Sequence, residues 1–152
     1  MSEYISASHV FTDCRAASID EALGFFSEKT VELGYATNVN AVFEAFKARE
    51  AEGTTGMTGG FAIPHAKTSD VKEAAILLAK FAGEIEWPSM DDVPVKCAIA
   101  LLIPADQAGT THLRLLSKIA VLLMDSHKRE AILNEEDPEK LAALVEKGIS
   151  ED

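Results

Sequence analysis

A chain of 152 residues, 47% hydrophobic and 26% charged, has the size and composition of one globular domain, which we predict to span 1–152. Its apolar runs without a charge, such as 74–79 and 97–105, fall far short of the roughly 20 residues in a membrane-spanning helix. The formal net charge of −11 argues against nucleic acid or an anionic membrane as the principal partner, because both require a positive face. The charge either keeps the protein in solution or steers a partner that carries a basic patch.

The targeting and redox signals are typical of a cytoplasmic protein. Met1–Tyr4 carry no basic region followed by an apolar stretch, so no secretory signal is expected. Cys14 and Cys97 lie in no motif, and we predict that they are buried thiols rather than a disulfide.

Two consecutive helices are predicted to fill roughly 18–52. Ser18 begins a Ser-x-x-Glu capping box, and Gly34 stands where a glycine would end the helix. Asn38 starts the second helix, which should fray at the glycines that follow it. Ahead of both helices, the short segment 10–14 is compatible with an edge strand.

The middle of the chain alternates loops and strands. The segment 53–60 contains four glycines and is too flexible for a helix or a central strand. Pro64 removes a donor from the ladder, so any strand here is predicted to end at His65. Further strands are predicted over 74–79, 84–87 and 95–103.

The last third of the chain predicts helices. One begins near Thr110 or Thr111 and presents one apolar face, formed by Leu113, Leu116, Ile119, Ala120 and Leu123. Ser126 starts another turn or two, and Asp137-Pro138 opens a final helix that Gly148 should end. Helices before and after the strands indicate an α/β protein, a three-layer α/β/α sandwich with a central mixed β-sheet.

Two histidines and an arginine are candidates for chemistry. His65 follows a proline at the exit of the glycine-rich loop, where we expect it to be exposed on a rigid support. Its neutral imidazole is either a nucleophile for phosphorus or a loop residue without a role. Arg49 either complements a helix dipole or binds phosphate oxygens. His112, in a first helical turn, is either a surface residue or a second group that converges on an anion. The glycines of 53–60 form either a turn or a cradle of backbone N–H groups.

These residues belong to a longer ordered pattern. Phe61-Ala62-Ile63-Pro64-His65-Ala66 is preceded by Arg49-Glu50 and a Thr-Gly loop. Downstream come Trp87, the segments 91–95 and 99–104, and the run that starts at His112. Taken in this order over about residues 18–145, the pattern resembles the fructose/mannitol-type enzyme IIA domains of the bacterial phosphoenolpyruvate-dependent sugar phosphotransferase system.

The resemblance implies a phosphotransferase with a phosphohistidine intermediate and with no metal or other cofactor. In that family the corresponding histidine accepts phosphate from the phosphohistidine of the carrier protein HPr. It then passes the phosphate to a cysteine of an enzyme IIB, which works with a membrane enzyme IIC. This role falls on His65. The resemblance places Arg49 beside the phosphate, makes Thr55 a hydrogen-bond donor and places His112 beside the nucleophile. Lys67 either adds positive charge there or points to water.

Two rival functions remain open from the sequence. Nitrogen-related enzyme IIA proteins share the His65 segment but act by binding targets according to phosphorylation state. The other rival is a domain of the same fold that binds metal or has no catalysis, with His65 idle. Among the remaining residues, His9 and His127 are predicted to lie on the surface and Trp87 to be a packing anchor. A docking patch is considered around Phe43, Phe46 or Met57.

Overall fold

A computed structural model describes residues 4–107 and 109–150, with the backbone alone at Thr111. The elements are β1 (Val10–Cys14), α1 (Ile19–Glu32), α2 (Val39–Glu52), β2 (Phe61–Ala62), β3 (His65–Thr68), β4 (Ala75–Ile85), β5 (Val95–Pro104), α3 (Thr111–Met124), α4 (Ser126–Asn134) and α5 (Pro138–Ser150). Of the segment Met1–Tyr4, on which the signal-peptide expectation rests, the first three residues lie outside this description. None of the described helices has the length and apolar character needed to cross a bilayer.

The strands form one mixed sheet in the order β1-β4-β5, with β2 and β3 in tandem along the far edge of β5. Strands β4 and β5 are antiparallel, whereas the edge strands run parallel to their neighbours. Pro64 separates β2 from β3 because it has no N–H to donate; its carbonyl oxygen accepts from the N–H of Leu101 at 2.9 Å. The edge strand predicted at 10–14 is confirmed. The prediction that a strand ends at His65 is wrong, since β3 begins there.

Two helical layers cover the sheet, one on each face. Side chains alternate along a strand, so neighbouring residues of β4 and β5 enter different cores. One core lies under α1 and α2 and includes Phe26, Phe46, Leu77, Ala100 and Leu102. The other lies under α3, α4 and α5 and includes Ile76, Ile99, Leu101, Ile119 and Leu141. The predicted three-layer α/β/α sandwich is confirmed.

The helix boundaries follow local signals in the sequence. The side chains of Ser18 and Asn38 each accept from a backbone N–H three residues on, both at 3.1 Å, and thereby cap α1 and α2 as predicted. Asp137 caps α5 in the same way, with a bond of 3.0 Å to the N–H of Glu139. Gly34 has φ +88° just after α1, in the left-handed region that favours glycine.

Three details of the predicted elements are wrong. Leu113 is 63% exposed, because the inner face of α3 is formed by Leu115, Ile119, Leu122 and Leu123. Gly148 does not end α5, which continues to Ser150; a Cβ added at Gly148 would lie 2.9 Å from the side chain of Leu122, so glycine allows α5 to pack closely on α3. The strand predicted at 84–87 is the end of β4 and stops at Ile85.

His9 is 5% exposed, so its predicted surface position is wrong. Its Nδ1 lies 3.1 and 3.0 Å from the carbonyl oxygens of Tyr4 and Ile76, and therefore carries the proton that both accept. Its Nε2 then accepts from the hydroxyl of Tyr35 at 3.0 Å. These bonds satisfy a buried imidazole and tie the start of the chain to β4. His127 is exposed, as predicted.

The two cysteines are buried free thiols, as predicted. Cys14 packs in the core under α1 and α2, and Cys97 packs in the core on the other face of the sheet. Burial raises the pKa of Cys97 to about 12, so this thiol stays protonated and unreactive.

Candidate functional site

His65 opens β3, and its side chain faces the layer that contains α3. The register of β3 and β5 sets His65 opposite Leu101, whose side chain belongs to the core on that face. As a result the residue is only 3% exposed, and the prediction of an exposed histidine is wrong. Strand alternation directs the ring beneath the helical layer rather than out to solvent. Both ring nitrogens are buried, and neither has a hydrogen-bond partner among the described residues.

His112, in the first turn of α3, lies against His65. The two ring centroids are 5.0 Å apart, and the ring planes meet at 62° in an edge-to-face arrangement. His112 is 9% exposed, and its buried Nε2 also lacks a partner within the described part of the chain. Buried polar atoms are normally hydrogen-bonded, so orphan nitrogens on two adjacent rings indicate a site that a ligand completes. The structure therefore brings the two predicted histidines together.

Both imidazoles are held neutral near pH 7. Burial, followed by the charges of His112, Arg49 and Lys67, lowers the pKa of His65 to about 3. The pKa of His112 is lowered as well, mainly by burial and then by the charges of Lys67 and Arg49. A neutral imidazole keeps a lone pair on one nitrogen, which is the form that a nucleophile requires.

Arg49 and Lys67 place positive charge within electrostatic reach of the two rings. Arg49 is half-buried in the last turn of α2, and its Nη1 donates to the carbonyl oxygen of Gly53 at 2.8 Å. Lys67 is exposed on β3, two residues after His65 and on the same face of the strand. Because both charges lower the pKa of His65 and of His112, both cations lie within electrostatic reach of the rings. This local positive charge favours an anion in a protein whose net charge is −11.

The glycine-rich loop is held mainly by the protein's own groups. Besides the N–H of Gly53, which donates to the carbonyl oxygen of Glu50 at 3.1 Å, four of its backbone N–H groups donate to acceptors within the chain, those of Thr55, Gly56, Met57 and Gly59. Gly59 has φ +73°, and its N–H reaches the carboxylate of Asp91 at 3.0 Å. For these four donors the contacts favour a turn over an anion cradle.

Thr55 is buried and directs its polar groups to Glu50. Its Oγ1 donates to Oε1 of Glu50, and its backbone N–H donates to Oε2 at 3.3 Å. The hydroxyl proton is therefore engaged, and a direct bond from Thr55 to phosphate stays a prediction without support from this geometry. Sequence reasoning assigned no role to Glu50. The sequence feature that could have indicated a role for Glu50 is a carboxylate in the last turn of a helix, five residues before a threonine in a tight loop.

The other candidates are placed as follows. Trp87 is 3% exposed and packs in the core under α1 and α2, as predicted for a packing anchor. Phe46 is buried in that core and contributes no docking surface, whereas Phe43 and Met57 are half-buried. Within residues 4–107 and 109–150, no three His, Cys, Asp or Glu side chains are grouped so that they could hold a metal ion.

The depressed pKa of His65 predicts how stability depends on pH. The unfolded histidine titrates near 6.5 and the folded one near 3, so the unfolded chain binds the additional proton between these values. The free energy of unfolding contributed by neutral His65 is complete above pH 6.5 and is lost as the pH falls towards 3. Relative to a His65→Gln variant, the wild type should lose roughly 2–3 kcal/mol between pH 7 and 4.5 in urea titrations. A difference between the two proteins that does not change with pH would contradict a neutral His65.

Residues 3–148 match the family model described as "Phosphoenolpyruvate-dependent sugar phosphotransferase system, EIIA 2". The chain belongs to this family. The match confirms the resemblance drawn from the Pro-His-Ala segment. EIIA domains act in phosphoryl transfer, and this activity agrees with a neutral imidazole within electrostatic reach of two cations.

Curated relatives of this EIIA chain fall into two groups. It is 35% identical over 134 residues to a PTS system fructose-specific EIIA component of Haloferax volcanii, and the match covers 86% of each protein. It is 30% identical over 145 residues to a nitrogen regulatory protein of Bradyrhizobium diazoefficiens, covering 95% of this chain and 94% of that protein. It is 33% identical over 138 residues to a PTS system 2-O-alpha-mannosyl-D-glycerate-specific EIIABC component of Escherichia coli. The match covers 90% of this chain but only 21% of that longer protein.

Solved structures agree with the EIIA fold. The nitrogen regulatory protein IIA-Ntr from Neisseria meningitidis superposes with a TM-score of 0.87 at 28% identity, covering 94% of this chain and 97% of the other. Enzyme IIA mannitol from Escherichia coli, in a complex with phosphorylated enzyme IIB mannitol, superposes with a TM-score of 0.70 at 18% identity, covering 96% of both chains. The second likeness shows the fold alone.

Proposed function

We propose that this EIIA domain is a cytoplasmic phosphoryl carrier in sugar uptake. It accepts a phosphoryl group from phospho-HPr on His65 and gives it to a cysteine of an enzyme IIB of the fructose/mannitol class. The observation that carries the proposal is a neutral imidazole with no hydrogen-bond partner in the described chain, packed 5.0 Å from a second one. The fructose-specific relative supports a role in sugar uptake.

Two displacements at phosphorus make up the reaction. In the first, a ring nitrogen of His65 attacks phosphorus, and the N–P bond of the donor phosphohistidine breaks. The other ring nitrogen of His65 releases its proton, and the departing donor imidazole takes one up. In the second, a thiolate of enzyme IIB attacks the same phosphorus, the N–P bond on His65 breaks, and the imidazole regains a proton. The covalent intermediate on His65 divides the transfer into these two steps.

Arg49 and His112 serve the transferred group. The Arg49 guanidinium stabilises the charge on the phosphoryl oxygens during both displacements. Nε2 of His112 has no partner among the described residues, so in the tautomer that carries its proton there it is available as a hydrogen-bond donor to one of those oxygens. Both nitrogens of His65 are buried, so docking of a partner must uncover one of them before in-line attack.

A regulatory function is the second candidate. The solved IIA-Ntr structure superposes with a TM-score of 0.87, and a nitrogen regulatory protein is 30% identical over nearly its whole length. In this case the same phosphohistidine forms on His65, but it controls binding to a target instead of passing its phosphate to a sugar permease.

Transfer to enzyme IIB separates the two functions. The protein is phosphorylated with phosphoenolpyruvate, enzyme I and HPr, purified, and mixed with enzyme IIB components of the fructose and mannitol classes. A carrier in sugar uptake should lose its label to an enzyme IIB within the mixing time, and a Cys→Ser variant of that enzyme IIB should receive none. If the protein keeps its label in the presence of every enzyme IIB tested, the result would contradict the transport function and favour the regulatory one.

A further inference from the structure

Two neighbouring side chains at the end of α2 hold the loop that follows it. Nη1 of Arg49 donates to the carbonyl oxygen of Gly53 at 2.8 Å. Glu50 accepts from both the hydroxyl and the backbone N–H of Thr55, one bond to each carboxylate oxygen. Gly53 has φ +153°, where a side chain would be strained, so glycine suits the position whose carbonyl oxygen Arg49 binds. We call the Glu50–Thr55 contact the clasp.

The clasp is connected to His65 through the backbone. The carbonyl oxygen of Thr55 accepts from the N–H of Ile63 at 3.0 Å, and the next residue, Pro64, is fixed to β5 by the N–H of Leu101 at 2.9 Å. A bridge between Gly56 and Ala62 holds the loop in the same place. Hydrogen bonds therefore connect the end of α2 to Ile63, and the peptide chain continues from Ile63 through Pro64 to His65.

The clasp also limits the freedom of Arg49. A long guanidinium side chain loses rotamer entropy when it is fixed, and here one nitrogen is anchored to the loop that the clasp holds. The other guanidinium nitrogens bond to none of the described residues, which leaves them available for the phosphoryl oxygens. A carboxylate that accepts two bonds from one residue is a strong anchor, because hydrogen bonds to charged groups are stronger than neutral ones.

We propose that Glu50 is a positioning residue that acts through Thr55: the clasp fixes the loop 53–55 and thereby holds the Arg49 guanidinium within electrostatic reach of His65. This inference rests on the proposed phosphoryl transfer at His65. A direct contact between Glu50 and the phosphoryl group is disfavoured, because two anions repel and both carboxylate oxygens are already bonded to Thr55. Thr55 acts in the site as the partner of Glu50 rather than as a donor to phosphate.

Substitutions of Thr55 and Glu50 test the clasp in the full chain. Thr55→Val removes the hydroxyl at nearly constant volume, and Glu50→Gln leaves no second acceptor for the backbone N–H. Each should slow phosphoryl transfer from phospho-HPr by about 10- to 100-fold, because small misplacements of a positioned group have effects of this size. Thr55→Ser keeps the hydroxyl and should restore the rate to within about threefold of wild type.

A remote threonine supplies the matched control. The hydroxyl and backbone N–H of Thr37 donate to the two oxygens of the Asp70 carboxylate at 2.8 and 3.1 Å, so this pair has the same bonding outside the site. Thr37→Val should leave the transfer rate unchanged. A similar loss in Thr37→Val would show that any such loosening slows transfer, and would overturn the proposal.

A double-mutant cycle distinguishes positioning from a general structural role. If the clasp acts through Arg49, the double variant Arg49→Ala, Thr55→Val should be no slower than Arg49→Ala alone. Multiplication of the two single losses would overturn the proposal, and so would a Thr55→Ser protein as slow as Thr55→Val. If Thr55→Val fails to fold by thermal melting, Glu50→Gln takes its place in the cycle.

Ring titration by NMR tests the clasp without any transfer. The charge of Arg49 lowers the pKa of both His65 and His112, so release of the guanidinium should raise the pKa of His112 in Thr55→Val, and Arg49→Ala should raise it as well. An unchanged pKa in Thr55→Val beside a raised one in Arg49→Ala would refute the clasp. If the wild type accepts no phosphoryl group, the proposed function fails, and this titration still decides whether Glu50 positions Arg49.

Discussion

A His65→Gln protein accepts no phosphoryl group from phospho-HPr at a rate above about one thousandth of wild type, because the nucleophile is missing. Glutamine fills most of the buried space at this position and keeps polar atoms there, so the domain should still fold. The measurement is the initial rate of labelling with phosphoenolpyruvate, enzyme I and HPr, with circular dichroism as the check on folding.

His127 supplies the matched control for His65. It is an exposed histidine on α4, and its replacement by glutamine should leave both labelling and folding at wild-type level. Labelling of His65→Gln at the rate of wild type would remove His65 from the reaction, whichever partner the protein serves.

Arg49→Ala slows transfer by about 100- to 1,000-fold, the effect of removing one group that stabilises charge in a transition state. Arg49→Lys keeps the positive charge but loses the planar fork that matches phosphate, and it should slow transfer by about 10-fold or more. The measurement is the rate of transfer from phospho-HPr at several donor concentrations, which separates binding of the donor from the chemical step.

The Arg49 variants need a control for the loss of one positive charge that leaves the site intact. Arg15 is exposed, and among residues 4–107 and 109–150 its one ion pair is with exposed Asp13 at 3.2 Å, so Arg15→Ala removes one positive charge without touching the site. It should transfer at the wild-type rate. Near-normal transfer by Arg49→Ala would place the guanidinium outside the reaction, even though its charge acts on both imidazoles.

Much of the fold was predictable because local signals fixed its elements. The caps at Ser18, Asn38 and Asp137 and the strand pattern of 95–103 each depend on residues close together in the sequence. Predictions failed where the outcome depends on distant packing. Gly148 ended no helix because α3 approaches α5 at that point. Leu113 faces outward because the register of α3 is set by the sheet beneath it.

The sequence pointed to candidate residues that the structure brings together, but it did not predict how buried they are. His65, Arg49 and His112 were named from a motif. In the structure the two imidazoles contact each other, and the Arg49 guanidinium lies within electrostatic reach of them. The burial of His65 was missed, because it follows from the pairing of β3 with β5 and not from the Pro-His sequence itself. The hydrogen bond between Thr55 and Glu50 was also missed, because it forms only when the folded loop lies against the end of α2.

The position of the phosphoryl group tests the account most directly. Wild-type protein is phosphorylated with phosphoenolpyruvate, enzyme I and HPr, digested at neutral or alkaline pH to preserve the N–P bond, and mapped by mass spectrometry. The account predicts one phosphoryl group, on the peptide that contains His65, with none on His112. A phosphoryl group on His112 or on another residue, or no phosphorylation by phospho-HPr, would contradict it.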